Sequence, residues 1–223
     1  MRVVTIPATG ESFDLDRPGG VAAWNRALNR RYGMENLRRH GNPVVRWIER
    51  RRRARLARMI PEFDRALDLG AEDGSLAAEW RGRGRFVVLL DLDAQMLRRG
   101  GAGGVAADAA RLPLRDRSFD VVVLSAILEH VVDPRGAVEE SARVVRPGGR
   151  LVAYVPWDTA ALRVKRWARH LGARLGPLAE GQAPGHLRTF DRARLRSLFA
   201  PVAREVRLRL DPFSLGYYVE ARI

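Results

Sequence analysis

The 223-residue chain contains no cysteine. Disulfides, thiolate metal clusters, iron–sulfur radical chemistry and a cysteine nucleophile are excluded before any motif is considered. Lysine is nearly as scarce, since Lys165 is the one basic residue of 40 that is not arginine. Long apolar runs are missing too. The most apolar stretch, residues 121–132, is interrupted by Ser125, Glu129 and His130 and is too short to span a bilayer. Residues 1–16 meet Glu11, Asp14 and Asp16, which leaves no apolar core for a signal peptide, so a cytoplasmic location is expected.

What is present suits one globular domain with a real core: 46% of residues are apolar and 30% charged. The formal charge of +14 is unevenly spread. Residues 1–62 hold 14 arginines against 6 acids, residues 63–155 hold 13 against 14, and residues 156–223 hold 12 arginines and the lysine against 6 acids. The two flanks are basic and the middle is neutral. Either the flanks face something acidic or they form a solvated surface.

Between residues 63 and 156, β-branched runs alternate with amphipathic stretches, the pattern of repeated βα units around a parallel sheet. Strands are expected at 65–69, 86–90, 104–107, 119–124 and 149–155, with helices at 74–81, 94–99 and 134–145, giving a doubly wound α/β sheet. Pro147, Gly148 and Gly149 stop the last helix. Beyond it a helix at 159–171 leads into a Gly/Pro-rich connection, 172–185, that reads as a lid. Asp191 then caps a helix at 192–199, and two strands, 203–210 and 215–221, follow. Helices at 20–31 and 44–60 precede the sheet. The division is a basic helical extension, 1–62, and a main domain, 63–223, with a lid-like insertion at about 157–190.

The segment Ala66-Leu67-Asp68-Leu69-Gly70-Ala71-Glu72-Asp73-Gly74 puts an acid at the end of a buried strand and glycines in the turn entering a helix, whose amino terminus would supply free N–H donors. Glycines there let the backbone approach a ligand. The next strand ends in Asp91, about twenty residues on, where an acid can accept both hydroxyls of a ribose. Glu72 and Asp73 in the loop would repel a pyrophosphate, so a phosphate-free nucleoside fits better.

At this point the chain resembles the class I S-adenosylmethionine-dependent methyltransferases, particularly the quinone-type and small-molecule group. The resemblance rests on Leu67–Gly74 and on Leu90-Asp91-Leu92-Asp93-Ala94-Gln95-Met96-Leu97. It continues through Ala107-Asp108-Ala109-Ala110-Arg111-Leu112-Pro113-Leu114 and Ser118-Phe119-Asp120-Val121-Val122-Val123, then Leu128-Glu129-His130-Val131 and Arg146-Pro147-Gly148-Gly149-Arg150-Leu151. It implies a Rossmann-like, seven-stranded, mostly parallel sheet whose antiparallel carboxy-terminal strand, 215–221, lies at the sheet edge. S-adenosylmethionine would be the cofactor and S-adenosylhomocysteine the product. Asp68, Gly70 and Gly74 would line the methionine part, and Asp91 would hold the ribose. Leu92 and Met96 would pack on the adenine, Asp108 and Ala109 would face its amino edge, and Ser125 would lie beside the cofactor. Glu72 stands where the family usually has a second glycine; it either crowds the cofactor, or faces solvent or the cofactor ammonium. Asp68 has a plainer alternative, bonding to loop N–H groups.

Methyl transfer needs alignment, exclusion of water and removal of any proton on the acceptor; no metal is expected. After the fourth strand the chain reads Ser125-Ala126-Ile127-Leu128, not the Asn/Asp-Pro-Pro-aromatic turn of enzymes that methylate base amino groups. The absence of cysteine and the single lysine likewise argue against the common nucleic-acid methyltransferases. His130 and His186 are the candidate bases; the alternative for each is structural, bracing a loop or capping a turn. His40 and His170 read as surface residues. The helix at 44–60 is basic and amphipathic, either docking on an anionic membrane with Trp47 at the boundary or packed on the sheet with a solvated arginine face. Arg163, Arg166, Arg169 and Arg174, with Trp167, repeat this pattern on the other flank. The reading is methyl transfer to a small molecule at O, N or C, the acceptor being anionic or lipid-linked. The alternatives are an RNA methyltransferase and a non-catalytic cofactor-binding scaffold.

Overall fold

Val121, Val122, Val123 and Leu124 have no exposed surface, and a strand apolar on both faces belongs in the middle of a sheet covered on both sides. A computed structural model, which describes residues 3–6, 10–32, 43–99, 104–158 and 186–223, places it there. Strands β3 (Phe63–Leu69), β4 (Gly84–Asp91), β5 (Gly104–Ala106), β6 (Phe119–Ser125), β7 (Val145–Pro156), β8 (Glu205–Asp211) and β9 (Gly216–Arg222) form one sheet in the order β5-β4-β3-β6-β7-β9-β8. β3 pairs in parallel with β4 and β6, β4 with β5, and β6 with β7. β9 is antiparallel to both of its neighbours.

The alternation along β6 sends its side chains to two cores. Val122 and Leu124 join a core with Ala137 and Val138 of helix α4 (Pro134–Val144) and Leu195 and Phe199 of α5 (Arg192–Phe199). Val121 and Val123 join Leu56 and Ala57 of α2 (Pro43–Met59), together with Ile60 just past it and Trp80. The helix starts follow their caps: Asp133 accepts the Gly136 N–H at 2.9 Å and Asp191 that of Arg194 at 2.7 Å. A short helix, α3 (Ala94–Arg99), buries Met96 and Leu97 after β4. At the amino terminus a two-stranded hairpin, β1 (Val3–Thr5) with β2 (Ser12–Asp14), and α1 (Gly20–Tyr32) form a third core around Trp24, against which Val132 and Leu187 pack.

Two expectations are corrected. Residues 74–81 are not an α-helix; the described backbone makes two 3-10 turns, Ala77–Glu79 and Arg81–Arg83. The chain must return along the eight residues of β4, roughly 26 Å. An α-helix over residues 74–83 advances only about 15 Å, so a more extended path wins. The carboxy-terminal antiparallel strand is one in from the edge, because β8 pairs outside it. The expected helix at 159–171 and lid at 172–185 lie outside the described residues, as do His40, His170, Arg163, Arg166, Trp167, Arg169 and Arg174. No described helix is long and apolar enough to cross a membrane.

Candidate active site

The carboxyl ends of β3, β4, β6 and β7 converge at one rim of the sheet, where parallel α/β sheets bind ligands. At the end of β3 the backbone turns sharply, with Gly70 at φ +76° and Gly74 at φ +69°. The Gly70 and Ala71 N–H groups donate to the Leu90 carbonyl at 2.8 and 3.0 Å, fixing the loop to β4. A Cβ at Gly70 would stand 2.8 Å from Ile127 Cδ1, so only glycine lets the loop and the segment after β6 approach this closely. Glu72 occupies the left-handed region at φ +49°, where a side chain costs about 1–2 kcal/mol. It is half-buried.

Asp91 is the anchor of this half. Its Oδ2 accepts the Glu72 N–H at 2.9 Å and its Oδ1 the Asp93 N–H at 2.8 Å, so the carboxylate is oriented while retaining acceptor capacity. Burial raises its pKa and those backbone donors oppose the rise. Asp68 is 1% exposed and its Oδ2 has no hydrogen-bond partner. Burial, reinforced by Asp91 and opposed by Arg53, pushes its carboxyl up to about 7. Met96 and Ala109 are buried and Leu92 half-buried, while Asp108 is exposed with its Oδ1 accepting the Ala110 N–H at 2.9 Å.

The second half gathers at the end of β6. Ser125 is half-buried, Ala126 sits at φ +55°, and the next turn brings Glu129 inward to 1% exposure. Neither carboxylate oxygen of Glu129 has a hydrogen-bond partner. Its Oε1 is 3.9 Å from His130 Nε2 and 3.9 Å from His186 Nε2. Burial pushes the Glu129 carboxyl up to about 7, with His186 opposing. The two imidazoles meet edge to face, centroids 4.9 Å apart, and Trp24 lies 6.4 Å from His130. His186 Nδ1 is 2.7 Å from Asp158 Oδ2, just past β7. The Leu187 N–H donates to the Glu129 carbonyl at 2.8 Å, and the Arg188 guanidinium donates to the carbonyls of Leu128, Val131 and Val132. This clamp is why residues 56 apart in sequence, His130 and His186, share one wall. Glu129, His130 and His186 present ligand atoms within 4.8 Å of one another, a set able to share a proton or hold a divalent cation.

Helix α2 crosses the rim. Arg50, Arg51 and Arg58 face solvent, but Arg52 is only 7% exposed and its Nη1 is 3.5 Å from Ser125 Oγ. The helix packs on the sheet through Leu56 and Ala57 with a solvated arginine face, one of its two expected characters. Trp47 is 47% and Phe213 62% exposed, and the Arg51 guanidinium lies 5.9 Å from the first ring and 5.2 Å from the second.

Thus the structure brings together Asp68, Gly70, Gly74 and Asp91 on one side and Ser125, His130 and His186 on the other. Sequence reasoning missed Arg52, Glu129 and Asp158. Glu129 had a signal, an acid within an otherwise apolar Leu-x-His turn; Arg52 and Asp158 had none.

A family model described as a methyltransferase domain matches residues 67–153. The demethylmenaquinone methyltransferase of Mycolicibacterium vanbaalenii is 38% identical over 138 residues, 60% of this chain and 59% of that protein. Its counterpart from Mycobacterium sp. strain KMS is 40% identical over 142 residues, 62% of this chain and 60% of that protein. The chain thus spans about three-fifths of the length of the curated relatives it matches. Two solved structures share the fold. A SAM-dependent methyltransferase of Thermotoga maritima aligns with TM-score 0.65 at 17% identity over 89% of this chain and 99% of that one. The N-methyltransferase NodS of Bradyrhizobium japonicum, in complex with S-adenosyl-L-homocysteine, aligns with TM-score 0.62 at 16% identity, over 91% and 97%.

Proposed function

We propose that the chain carries a class I S-adenosylmethionine-dependent methyltransferase domain with S-adenosylmethionine as its cofactor, a reading supported by the methyltransferase-domain match over residues 67–153, and that it methylates a small hydroxylated ring compound of the quinol type, reached from a lipid surface. The observation that carries this reading is the wall of Trp24, His130 and His186 above buried Glu129, facing the rim where the cofactor loop ends. Aromatic edges accommodate a flat ring, and imidazoles beside a buried acid can take its proton. The relatives named for demethylmenaquinone methylation support the same acceptor class.

The residues present fit the cofactor. The loop is acidic, suiting a ligand with a sulfonium and an ammonium, and the unpartnered Oδ2 of Asp68 is a buried acceptor awaiting a donor. Asp91 would hold the ribose hydroxyls, Leu92 and Met96 would pack against the adenine, and Asp108 with Ala109 would meet its amino edge. Gly70 and Gly74 would keep the backbone low beneath the methionine, with Ser125 alongside. When bound, the cofactor supplies an electrophilic methyl group.

His130, the more exposed of the two imidazoles, with 29% of its side chain accessible against 8% for His186, accepts the proton of the acceptor hydroxyl. His186, oriented by Asp158, packs edge to face against it, and Glu129 stabilises the resulting imidazolium. The Trp24 core and the Arg188 clamp keep water from that side.

The exposed patch of Trp47 and Phe213, flanked by Arg50 and Arg58, supplies peripheral contact with an anionic membrane and access to a lipid-linked acceptor. The test is transfer of labelled methyl from S-adenosylmethionine to a hydroxylated naphthalene with a polyprenyl tail, carried in phosphatidylglycerol or phosphatidylcholine vesicles. Transfer is expected, faster on the anionic vesicles and slowed by salt. Transfer only to water-soluble, tail-less acceptors, or to RNA, would overturn the acceptor reading.

A further inference from the structure

S-adenosylmethionine is a zwitterion, and its carboxylate is the one part the acidic rim does not suit. Asp68, Glu72, Asp91, Glu129 and Asp158 all surround the site with negative charge or acceptors. A carboxylate moved into such surroundings needs a fixed cation. Among the described residues, two guanidiniums from α2 reach the rim beside the cofactor loop, Arg52 and Arg53.

Arg53 is committed to the loop itself. Its Nε donates to Glu79 Oε1 at 2.6 Å and its Nη2 to the Ser75 carbonyl at 2.5 Å, so it fastens α2 to the glycine turn. Arg52 points elsewhere. Its guanidinium lies 5.0 Å from the Tyr154 ring centroid on β7, with Nη2 2.7 Å from Glu49 Oε2 and Nη1 beside Ser125 at the end of β6. Tyr218 Oη donates to the Arg52 carbonyl at 3.5 Å, tying the helix backbone to β9 at the same place. Burial alone would disfavour its charge, but Glu49, Tyr154, Glu129 and Glu72 together outweigh it and hold the pKa above the usual arginine range. The guanidinium therefore stays charged between the loop of Glu72 and the turn of Glu129, the two segments that bracket the methionine end of the site.

We propose that Arg52 is the anchor for the carboxylate of the cofactor's methionine moiety, so that the basic amino-terminal helix is part of the binding site and not only a cover. The inference rests on the cofactor reading above. A planar guanidinium held on an aromatic ring, with Nη2 tied to Glu49 and Nη1 at the Ser125 end of the site, keeps its charge and its N–H directions fixed, and a carboxylate arriving at that end meets a charge-assisted donor. Glu49 acts through Arg52 as a positioning residue. It also explains why this one arginine of the Arg50–Arg53 run is buried while its neighbours Arg50 and Arg51 are exposed.

The experiment compares two ligands by calorimetry on the full chain. S-adenosylhomocysteine carries the carboxylate; 5′-methylthioadenosine keeps the adenosine and sulfur but lacks the amino-acid portion. Arg52→Gln is expected to weaken S-adenosylhomocysteine about 10- to 100-fold, the range for a lost charge-assisted bond, while 5′-methylthioadenosine binding stays within about two-fold. Arg52→Lys keeps the charge without the planar fork and recovers part of the loss. It also serves as the folded control should the glutamine variant melt early. Equal weakening of both ligands, or no weakening of either, overturns the role of Arg52 while leaving the cofactor reading standing. Failure of the unaltered chain to bind S-adenosylhomocysteine overturns both.

Discussion

At the ends of β3 and β4 the polar groups are organised by backbone: Asp91 is gripped by two N–H groups, and Gly70 and Ala71 bond to the Leu90 carbonyl. At the ends of β6 and β7 they are organised by side chains, with Glu129 facing two imidazoles and His186 backed by Asp158. A backbone-built surface is rigid before a ligand arrives and suits holding a constant cofactor. A side-chain array with an acid titrating near neutrality suits moving protons and can be retuned for different acceptors. Under the proposed function, binding falls to one half and chemistry to the other.

The largest effect that would sharpen this division is on turnover. His130→Ala should lower kcat by about 10²- to 10⁴-fold, the usual worth of a general base, with S-adenosylhomocysteine affinity unchanged. Turnover equal to the unaltered protein would assign His130 to bracing the turn. Next in size, Asp91→Ala should weaken S-adenosylhomocysteine by about 100-fold, since hydrogen bonds from both ribose hydroxyls to a charged group are lost.

A smaller, global effect follows from the two acids that titrate near 7. The pKa values of Asp68 and Glu129 are raised above those of the unfolded chain. Their protonated forms therefore favour folding: this contribution is fully present below about pH 4 and is lost as pH rises through about 7. Chemical denaturation of the ligand-free protein should show stability falling by on the order of a few kcal/mol between pH 5 and 8 from these groups. Stability that rises over this interval would contradict the raised pKa values of these two buried acids. Smallest is Glu72→Gly, which removes a side chain from φ +49°. It should raise stability by about 1 kcal/mol in a denaturant titration; destabilisation would show that the Glu72 carboxylate contributes more than its backbone costs.

The two halves also differ in how far they could be read from the residues alone. The β3 loop and Asp91 form a local pattern, with the acid and glycines within seven positions of each other and the second acid at the end of the next strand. Their relation is set by secondary structure, and it appears as expected. The histidines stand out by type, yet the partners that give them roles are distant: Asp158 is 28 positions from His186, and Arg52 is 73 from Ser125. Only tertiary packing fixes such pairs. The turn at 74–81 misleads because its composition suits a helix while the span it must cross does not. The amino-terminal hairpin, with three-residue strands, carries too short an alternation to detect.

The division itself is tested most directly by measuring S-adenosylhomocysteine affinity and single-turnover methyl transfer at saturating cofactor, side by side, in Asp91→Ala and His130→Ala. The account predicts a crossover: Asp91→Ala loses affinity but transfers at close to the normal rate once saturated, and His130→Ala binds normally but does not transfer. Parallel losses in both variants, or transfer by His130→Ala at the unaltered rate, would contradict it.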